Sequence, residues 1–195
     1  ELGADVIVAQ GIEAGGHGRD GGPGGGRGTM AIVPAVVDLV DPIPVLAAGG
    51  VADGRGLAAA LALGAAGALI GTRFQASAES LADPVIAKAI VEASGEDTER
   101  GRVLDVARGA DWPERYPGRA LRNDFLDTWR GKETELATDA EAKTRFAEAA
   151  DRGDLSAAPV WAGEAAGLIT GVGPAEELVG QLAADAETAL ARVLR

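Results

Sequence analysis

The sequence predicts an α/β fold built from consecutive strand–helix units. Three short apolar runs, at 6–8, 45–48 and 68–70, are each followed closely by glycine, as buried strands are where they end in a loop. Two helix-like segments, at 30–40 and 52–63, separate these runs. Because strand, helix and strand recur within about thirty residues, the pattern predicts a parallel sheet or barrel.

The two helices of this repeat have recognisable ends. The first carries apolar residues three and four positions apart, which is typical of an amphipathic helix, and Pro42 and Pro44 follow its last turn. Its apolar residues are Ile32, Val33, Val36, Val37 and Val40. Asp53 is placed to cap the start of the second helix, and Gly64 to end it.

The character of the chain changes after residue 76. Asp83 followed by Pro84 predicts the start of a helix that continues to about residue 93. Residues 95–124 contain Gly, Pro, Trp and several Arg, and predict an irregular connection with short helices. Helices are predicted again over 138–152 and 174–193. The apolar face of the last one consists of Leu178, Leu182, Ala186 and Leu190.

These differences predict two regions, βα units over 1–94 and a mostly helical region over 95–195. Residues 2–8 have the pattern of a helix end, a tight turn and a strand. The chain is therefore expected to start inside a βα repeat whose earlier sequence lies upstream.

Composition excludes several classes of function. The net charge of −12 argues against nucleic acid and anionic membranes as partners. The absence of cysteine excludes disulfides, thiolate metal sites and cysteine nucleophiles, and no metal site is predicted. No apolar run approaches the ~20 residues of a membrane span. No signal peptide is visible either, so a cytoplasmic location is expected.

The first strand ends in the segment AQGIEAGGH at 9–17, which holds the only histidine of the chain. Loops at strand ends carry the chemistry of many α/β enzymes, and glycines there let a ligand approach the backbone closely. Histidine gains and loses a proton readily near neutral pH. His17 is therefore a candidate proton carrier, although a lone histidine is more often a packed or surface residue.

The glycine-rich segment that follows, 18–28, is low in complexity and flexible by composition. It is either a lid near a bound ligand or a tolerated surface insertion. Arg19 and Arg27 within it either meet an anion or keep the loop soluble.

Glycines at two successive strand ends suggest a phosphate site. Gly49 and Gly50 follow the second strand, and Gly71 and Thr72 follow the third. Backbone N–H groups at such ends suit a phosphate, as between the last two strands of TIM barrels. No GxxxxGK[ST] sequence is present, so a P-loop NTPase is excluded.

Five segments in order carry a family resemblance: AQGIEAGGHG at 9–18, PVLAAGGVADGRG at 44–56, LGAAGALIGTRF at 63–74, RALRNDF at 119–125 and AGEAAGLI at 162–169. Together they resemble the nitronate monooxygenase family, whose relatives include flavin-dependent enoyl-ACP reductases. The resemblance implies a partial TIM (β/α)8 barrel that binds FMN. The strands here would be its sixth to eighth, followed by a mostly helical C-terminal region.

The resemblance also implies roles for single residues. His17 matches the catalytic histidine of the family. The matched flavin and phosphate contacts are Gln10, Gly15, Gly50, Leu69, Ile70, Gly71 and Thr72, and Gly49 joins them from the glycine pattern. Many relatives have Gln where this chain has Leu69, so only a backbone contact would survive there.

The implied activity is oxidation of an alkyl nitronate by O₂ to a carbonyl compound and nitrite, with FMN as cofactor. His17 would be the base for a nitroalkane or would hold its nitro group. One alternative is a flavin reductase that uses NAD(P)H on enoyl thioesters or quinones. Another is an inactive barrel fragment that binds a partner, or forms a homo-oligomer to cover its open sheet edges.

Overall fold

The computed structural model describes residues 3–21 and 24–193. The predicted turn at the start of the chain lies partly outside the described residues, and so do Gly22 and Pro23 of the glycine-rich loop. The strands are β1 (Ile7–Gln10), β2 (Gly16–His17), β3 (Val45–Ala48), β4 (Gly67–Leu69), β5 (Thr98–Gly101) and β6 (Gly118–Leu121).

Helices of very different length connect and follow these strands. In chain order they are α1 (Thr29–Val40), α2 (Gly54–Ala62), α3 (Thr72–Gln75), α4 (Pro84–Glu92), α5 (Val103–Arg108), α6 (Asp124–Trp129), α7 (Glu133–Thr138), α8 (Ala140–Asp151) and α9 (Ala175–Val193). Two 3₁₀ turns, Gly95–Asp97 and Glu164–Leu168, complete the described elements.

A three-stranded parallel sheet in the order β1-β3-β4 confirms the α/β prediction. β1 pairs with β3 from Ile7–Val45 to Gln10–Ala48, and β3 pairs with β4 from Leu46–Gly67 onward. Parallel neighbours need crossover connections, and α1 and α2 supply them. All three strands therefore end at the same edge of the sheet.

The core between this sheet and its helices is built mainly from small side chains. Its buried members are Ala9, Val33, Val45, Ala47, Ala60 and Ala65. α1 places Val33 there with no exposed surface. The other residues of its predicted apolar face are partly buried against this core: Ile32, Val36, Val37 and Val40. Alanine-rich packing brings the layers close together and explains how a chain with 4% aromatic residues still forms a core.

Side-chain caps set the helix starts. α2 begins at Gly54 rather than at 52, because Asp53 is extended and its carboxylate accepts hydrogen bonds from the backbone N–H groups of Arg55 and Gly56. Asp83 caps α4 in the same way through the N–H of Val85. Both cap predictions are confirmed.

The long helix α9 packs against α2. At the crossing, a Cβ on Gly54 would lie 2.3 Å from Cβ of Asp185, so only glycine allows this approach. Leu182 and Ala186, on the predicted apolar face, are buried. The last helix thus covers the outer face of the strand–helix repeat.

The prediction of an irregular connection over 95–124 is wrong in part. β5 and β6 lie in this stretch and pair antiparallel, and β6 also pairs with β2, giving a second sheet in the order β2-β6-β5. The strands read TERG and GRAL, without the apolar alternation that marks a strand in a sequence. Their partners come from distant sequence, so only tertiary pairing defines them.

The helices α5 to α8 form a separate apolar cluster beside this second sheet. It includes Leu104, Leu126, Leu136 and Phe146, all buried. α8 starts at Ala140 under the cap Asp139, close to the predicted start. Over the described ranges, no helix is long and apolar enough to cross a membrane.

Candidate active site

The ends of the parallel strands converge on one pocket of about 390 Å³. The backbone N–H of Gly11 donates to the carbonyl of Ala48 at 2.8 Å and ties the end of β1 to that of β3. All eight predicted cofactor residues line this pocket: Gln10, Gly15, Gly49, Gly50, Leu69, Ile70, Gly71 and Thr72. The structure thus brings together residues from three separate strand ends.

Glycines keep one wall of this pocket free of side chains. Gly49 and Gly50 have φ values of +92° and +74°, which side chains rarely tolerate. A Cβ on Gly49 would lie 2.8 Å from the backbone nitrogen of Ala14, and one on Gly15 would lie 2.7 Å from the carbonyl carbon of Ala162. The backbone itself therefore forms this part of the wall.

The C-terminal region contributes an adjoining part of the lining. The hydroxyl of Thr72 accepts a hydrogen bond from the N–H of Gly163 at 3.0 Å, and the amide of Gln75 donates to the carbonyl of Trp161 at 2.7 Å. The Thr72 hydroxyl keeps its own hydrogen for another acceptor. Gln75 and Trp161 were not among the predicted site residues.

His17 lies beside this pocket, on β2, and its ring is held by a buried carboxylate. Nε2 of His17 is 2.8 Å from Oδ1 of Asp105 on α5. The side chains are 16% and 6% exposed, respectively. Because a carboxylate accepts hydrogen bonds, this contact favours a proton on Nε2 and leaves Nδ1 as the basic nitrogen.

Two tryptophans enclose the imidazole. The ring of Trp112 stacks on His17 with centroids 4.0 Å apart and an angle of 10°, and Trp161 lies at 5.4 Å with a tilt of 39°. Gly118, paired with His17 across β2 and β6, makes room for this, because a Cβ there would lie 2.4 Å from Cζ3 of Trp161. His17 therefore has one defined orientation.

A second, more open pocket of about 880 Å³ adjoins His17. Arg19, Arg27 and Tyr116 contribute to its lining, together with glycines of the loop. Gln10 borders both pockets, and its amide donates to the carbonyl of His17 at 2.8 Å. The histidine thus stands between the glycine-walled pocket and an opening toward solvent.

Sequence reasoning found His17 and missed what holds it. Asp105 lies 88 residues away in a stretch predicted to be irregular, and nothing in the sequence links the two. Trp112 and Trp161 were missed as well, and the only sequence signal for them is that the chain has three tryptophans. No cluster of three metal-ligating side chains occurs in the part of the chain that the structure describes.

Comparison with known proteins places this geometry in a family. A model of the nitronate monooxygenase family matches residues 1–185. A nitronate monooxygenase of Neurospora crassa is 39% identical, over 98% of this chain and 51% of that protein. The chain spans about half the length of the curated relatives it matches.

Solved structures agree with the sequence relatives. FabK from Thermotoga maritima superposes with a TM-score of 0.80 at 34% identity, over 98% of this chain and 57% of that one. A nitroalkane oxidase from Streptomyces ansochromogenes gives a TM-score of 0.78 at 34% identity, over 98% and 54%. The chain belongs to the nitronate monooxygenase family.

Proposed function

We propose that this chain provides the cofactor pocket and the catalytic histidine of an FMN-dependent enzyme that oxidises alkyl nitronates with O₂ to a carbonyl compound and nitrite. The observation that carries the proposal is His17, oriented by Asp105 and two indoles beside the glycine-walled pocket. In this proposal the parallel sheet represents the sixth to eighth strands of a (β/α)8 barrel.

The division at residue 94 is part of the same proposal, with barrel units over 1–94 and a helical region over 95–195. The two regions meet at the site, since β2 pairs with β6 and Glu164 N–H donates to the carbonyl of Glu13 at 2.9 Å. The histidine comes from the first region, and its carboxylate partner comes from the second.

The residues of the pocket fit a flavin phosphate. The positive-φ glycines after β3 line the pocket with backbone alone, and Thr72 after β4 offers a hydroxyl hydrogen. Gln10 and Gly15 would flank the ring end, near His17. When bound, FMN supplies the redox chemistry.

The protein's own part in the reaction is the handling of a proton. With a neutral nitroalkane, Nδ1 of His17 would take the proton from the carbon next to the nitro group, leaving the nitronate anion. Asp105 would keep Nε2–H in place and balance the charge of the resulting imidazolium. A preformed nitronate needs no such step, so His17 would only hold it.

Replacing His17 tests the proposal. His17→Asn is expected to retain FMN and to lower turnover of a neutral nitroalkane by about 10²–10⁴-fold. Turnover of the preformed nitronate is expected to fall much less. An unchanged rate of nitroalkane turnover would show that His17 takes no part in the reaction.

A flavin reductase that uses NAD(P)H is the second candidate, because the family resemblance extends to flavin-dependent enoyl-ACP reductases. Anaerobic mixing of the flavin-loaded protein with NADPH separates the two, because rapid bleaching of the flavin favours the reductase. A barrel fragment without activity is the remaining alternative. Stoichiometric FMN on the purified chain, seen as a perturbed visible spectrum, would count against it.

A further inference from the structure

The guanidinium of Arg100 on β5 lies inside the loop that carries His17. It donates to five backbone carbonyls. The acceptors and distances are Gly16 at 3.1 Å, Gly18 at 3.2 Å and Pro117 at 2.6 Å from Nη1, and Ile12 at 3.2 Å and Ala14 at 2.7 Å from Nη2. Four of these carbonyls belong to alternate residues of the loop, at positions 12, 14, 16 and 18.

This pattern means that the loop winds around the guanidinium with alternate carbonyls pointing inward. His17 sits between two of the bonded residues, Gly16 and Gly18, so its backbone is held on both sides. A Cβ on Gly18 would lie 3.2 Å from Nη1 of Arg100, which shows how closely the loop encloses the cation. The placement of His17 therefore depends on the position of this guanidinium.

The charge of Arg100 strengthens the arrangement. Burial, with a contribution from the neighbouring Arg119 cation, lowers the pKa of Arg100 to about 10. The group is still protonated at neutral pH, so each contact is a charge-assisted hydrogen bond. Its Nε is buried and has no hydrogen-bond partner among the described residues, so only the two Nη groups bind the loop.

Lysine could not reproduce this geometry. Arginine presents a planar fork that reaches acceptors on two sides, whereas lysine presents one compact ammonium with three donors. An ammonium at this place would satisfy part of the ring of carbonyls and leave the others to rearrange. Arg100→Lys is therefore a conservative change in charge and a severe one in shape.

We propose that Arg100 is a positioning residue for His17, setting the backbone on both sides of the histidine while Asp105, from the same β5–α5 segment, holds the ring. The inference rests on the proposed function only for its catalytic consequence. Its structural part concerns the orientation of one imidazole.

The single histidine makes that part directly measurable. In protein labelled with [¹⁵N]histidine, every imidazole signal reports on His17. The wild-type ring is expected to show one tautomer, with the proton on Nε2 toward Asp105. Arg100→Lys is expected to give a mixture of tautomers or a broadened signal, with or without flavin.

In the flavin-loaded enzyme, Arg100→Lys is expected to lower kcat for a neutral nitroalkane by about 10²-fold while KM changes little, because misplacement by about 1 Å is enough for such a loss. Arg130→Lys is the matched control. Arg130 also contacts β5, through an ion pair with Glu99, but at the surface and away from the loop. It is expected to leave both readouts unchanged.

The outcomes separate cleanly. Wild-type kcat together with a wild-type ¹⁵N spectrum in Arg100→Lys would overturn the proposal. If the wild-type protein oxidises no nitronate, the proposed function fails, and the ¹⁵N spectra alone decide about Arg100. If Arg100→Lys does not fold, Gly18→Ala in a Gln10→Ala background decides, with Gln10→Ala alone as its control. A Cβ on Gly18 would meet Nε2 of Gln10 at 2.7 Å and Nη1 of Arg100 at 3.2 Å, so removing the Gln10 amide leaves the guanidinium as the nearest contact. An altered tautomer signal there supports the proposal, and an unaltered one overturns it.

Discussion

The glycine-walled pocket and the histidine site are neighbours, yet they are built in opposite ways. The pocket comes mainly from strand ends within residues 10–72, each followed by its own glycine, and only the lining from residues 161–165 is distant in sequence. The histidine site joins a two-residue strand to β6, a carboxylate on α5 and two indoles, across up to 144 residues, from 17 to 161. Local sequence therefore specifies where a ligand can lie, and long-range pairing specifies how the reactive side chain is aimed.

The largest effect is expected for Asp105→Asn, which alters a long-range contact of the histidine site. The carboxamide retains the shape but can donate a hydrogen bond to Nε2, which would move the ring proton to Nδ1 and remove the basic nitrogen. Turnover of a neutral nitroalkane is expected to fall by about 10²–10⁴-fold, with FMN binding retained. Steady-state kinetics and the [¹⁵N]histidine spectrum check this, and full activity would show that Asp105 does not set the tautomer.

Gly49→Ala tests the glycine-walled pocket, the feature that local sequence specifies. The new Cβ would combine a φ of +92° with a 2.8 Å approach to the nitrogen of Ala14, so the free energy of unfolding is expected to fall by about 2–4 kcal/mol, and FMN affinity with it. Gly50→Ala is the control. Its φ is also positive, but the nearest atom to its Cβ is 3.7 Å away, so about 1 kcal/mol is expected. Equal losses in urea denaturation would mean that close packing at Gly49 is unimportant.

Trp112→Ala sharpens the account of the histidine site. Aromatic stacking contributes about 0.5–1.5 kcal/mol, so kcat for a nitroalkane is expected to fall by about three- to tenfold as the ring loses one wall. Trp112→Phe retains a stacking partner and is expected to stay close to wild type. A larger loss with Phe than with Ala would contradict stacking as the reason.

The smallest effect is expected for Asp53→Ala, which removes a cap from the local framework. The free energy of unfolding is expected to fall by about 0.5–1 kcal/mol, without a change in the ¹⁵N signal of His17. Thermal unfolding measures this, with Asp53→Asn as a cap-preserving control. A shifted His17 signal would show that the two halves are coupled through α2.

Asp53 also predicts a pH dependence for that loss. Partial burial opposes the charge, but hydrogen bonds from the Arg55 side chain and the Gly56 N–H outweigh it and hold the pKa of Asp53 below its ordinary 3.8. The stabilisation is therefore fully present above pH 3.8 and is lost as the pH falls through the lower, folded-state value. The difference between wild type and Asp53→Ala should shrink in that range.

Patterns of a few residues were enough for the three parallel strands and the two helices that connect them. Apolar runs, a cap at Asp53 and glycines at 49, 50 and 64 correctly predicted strands, helices and their order, because each depends on neighbours in sequence. The same approach failed at β2, where a loop was predicted, and at β5 and β6. The segments TERG and GRAL are extended because each pairs with a neighbouring strand, and neither has a hydrophobic periodicity that would predict this pairing.

The sequence by itself determined the strand–helix repeat, the family and the single histidine as the candidate catalytic residue. The repeat depends on patterns of adjacent residues, and the family is recognised from several segments in a fixed order. Only the tertiary structure decided that Asp105 faces Nε2, that Trp112 and Trp161 enclose the ring, and that Arg100 fills the loop behind it. The physical reason is that a buried charge or an imidazole is satisfied by whatever the fold brings within about 3 Å, regardless of its distance along the chain.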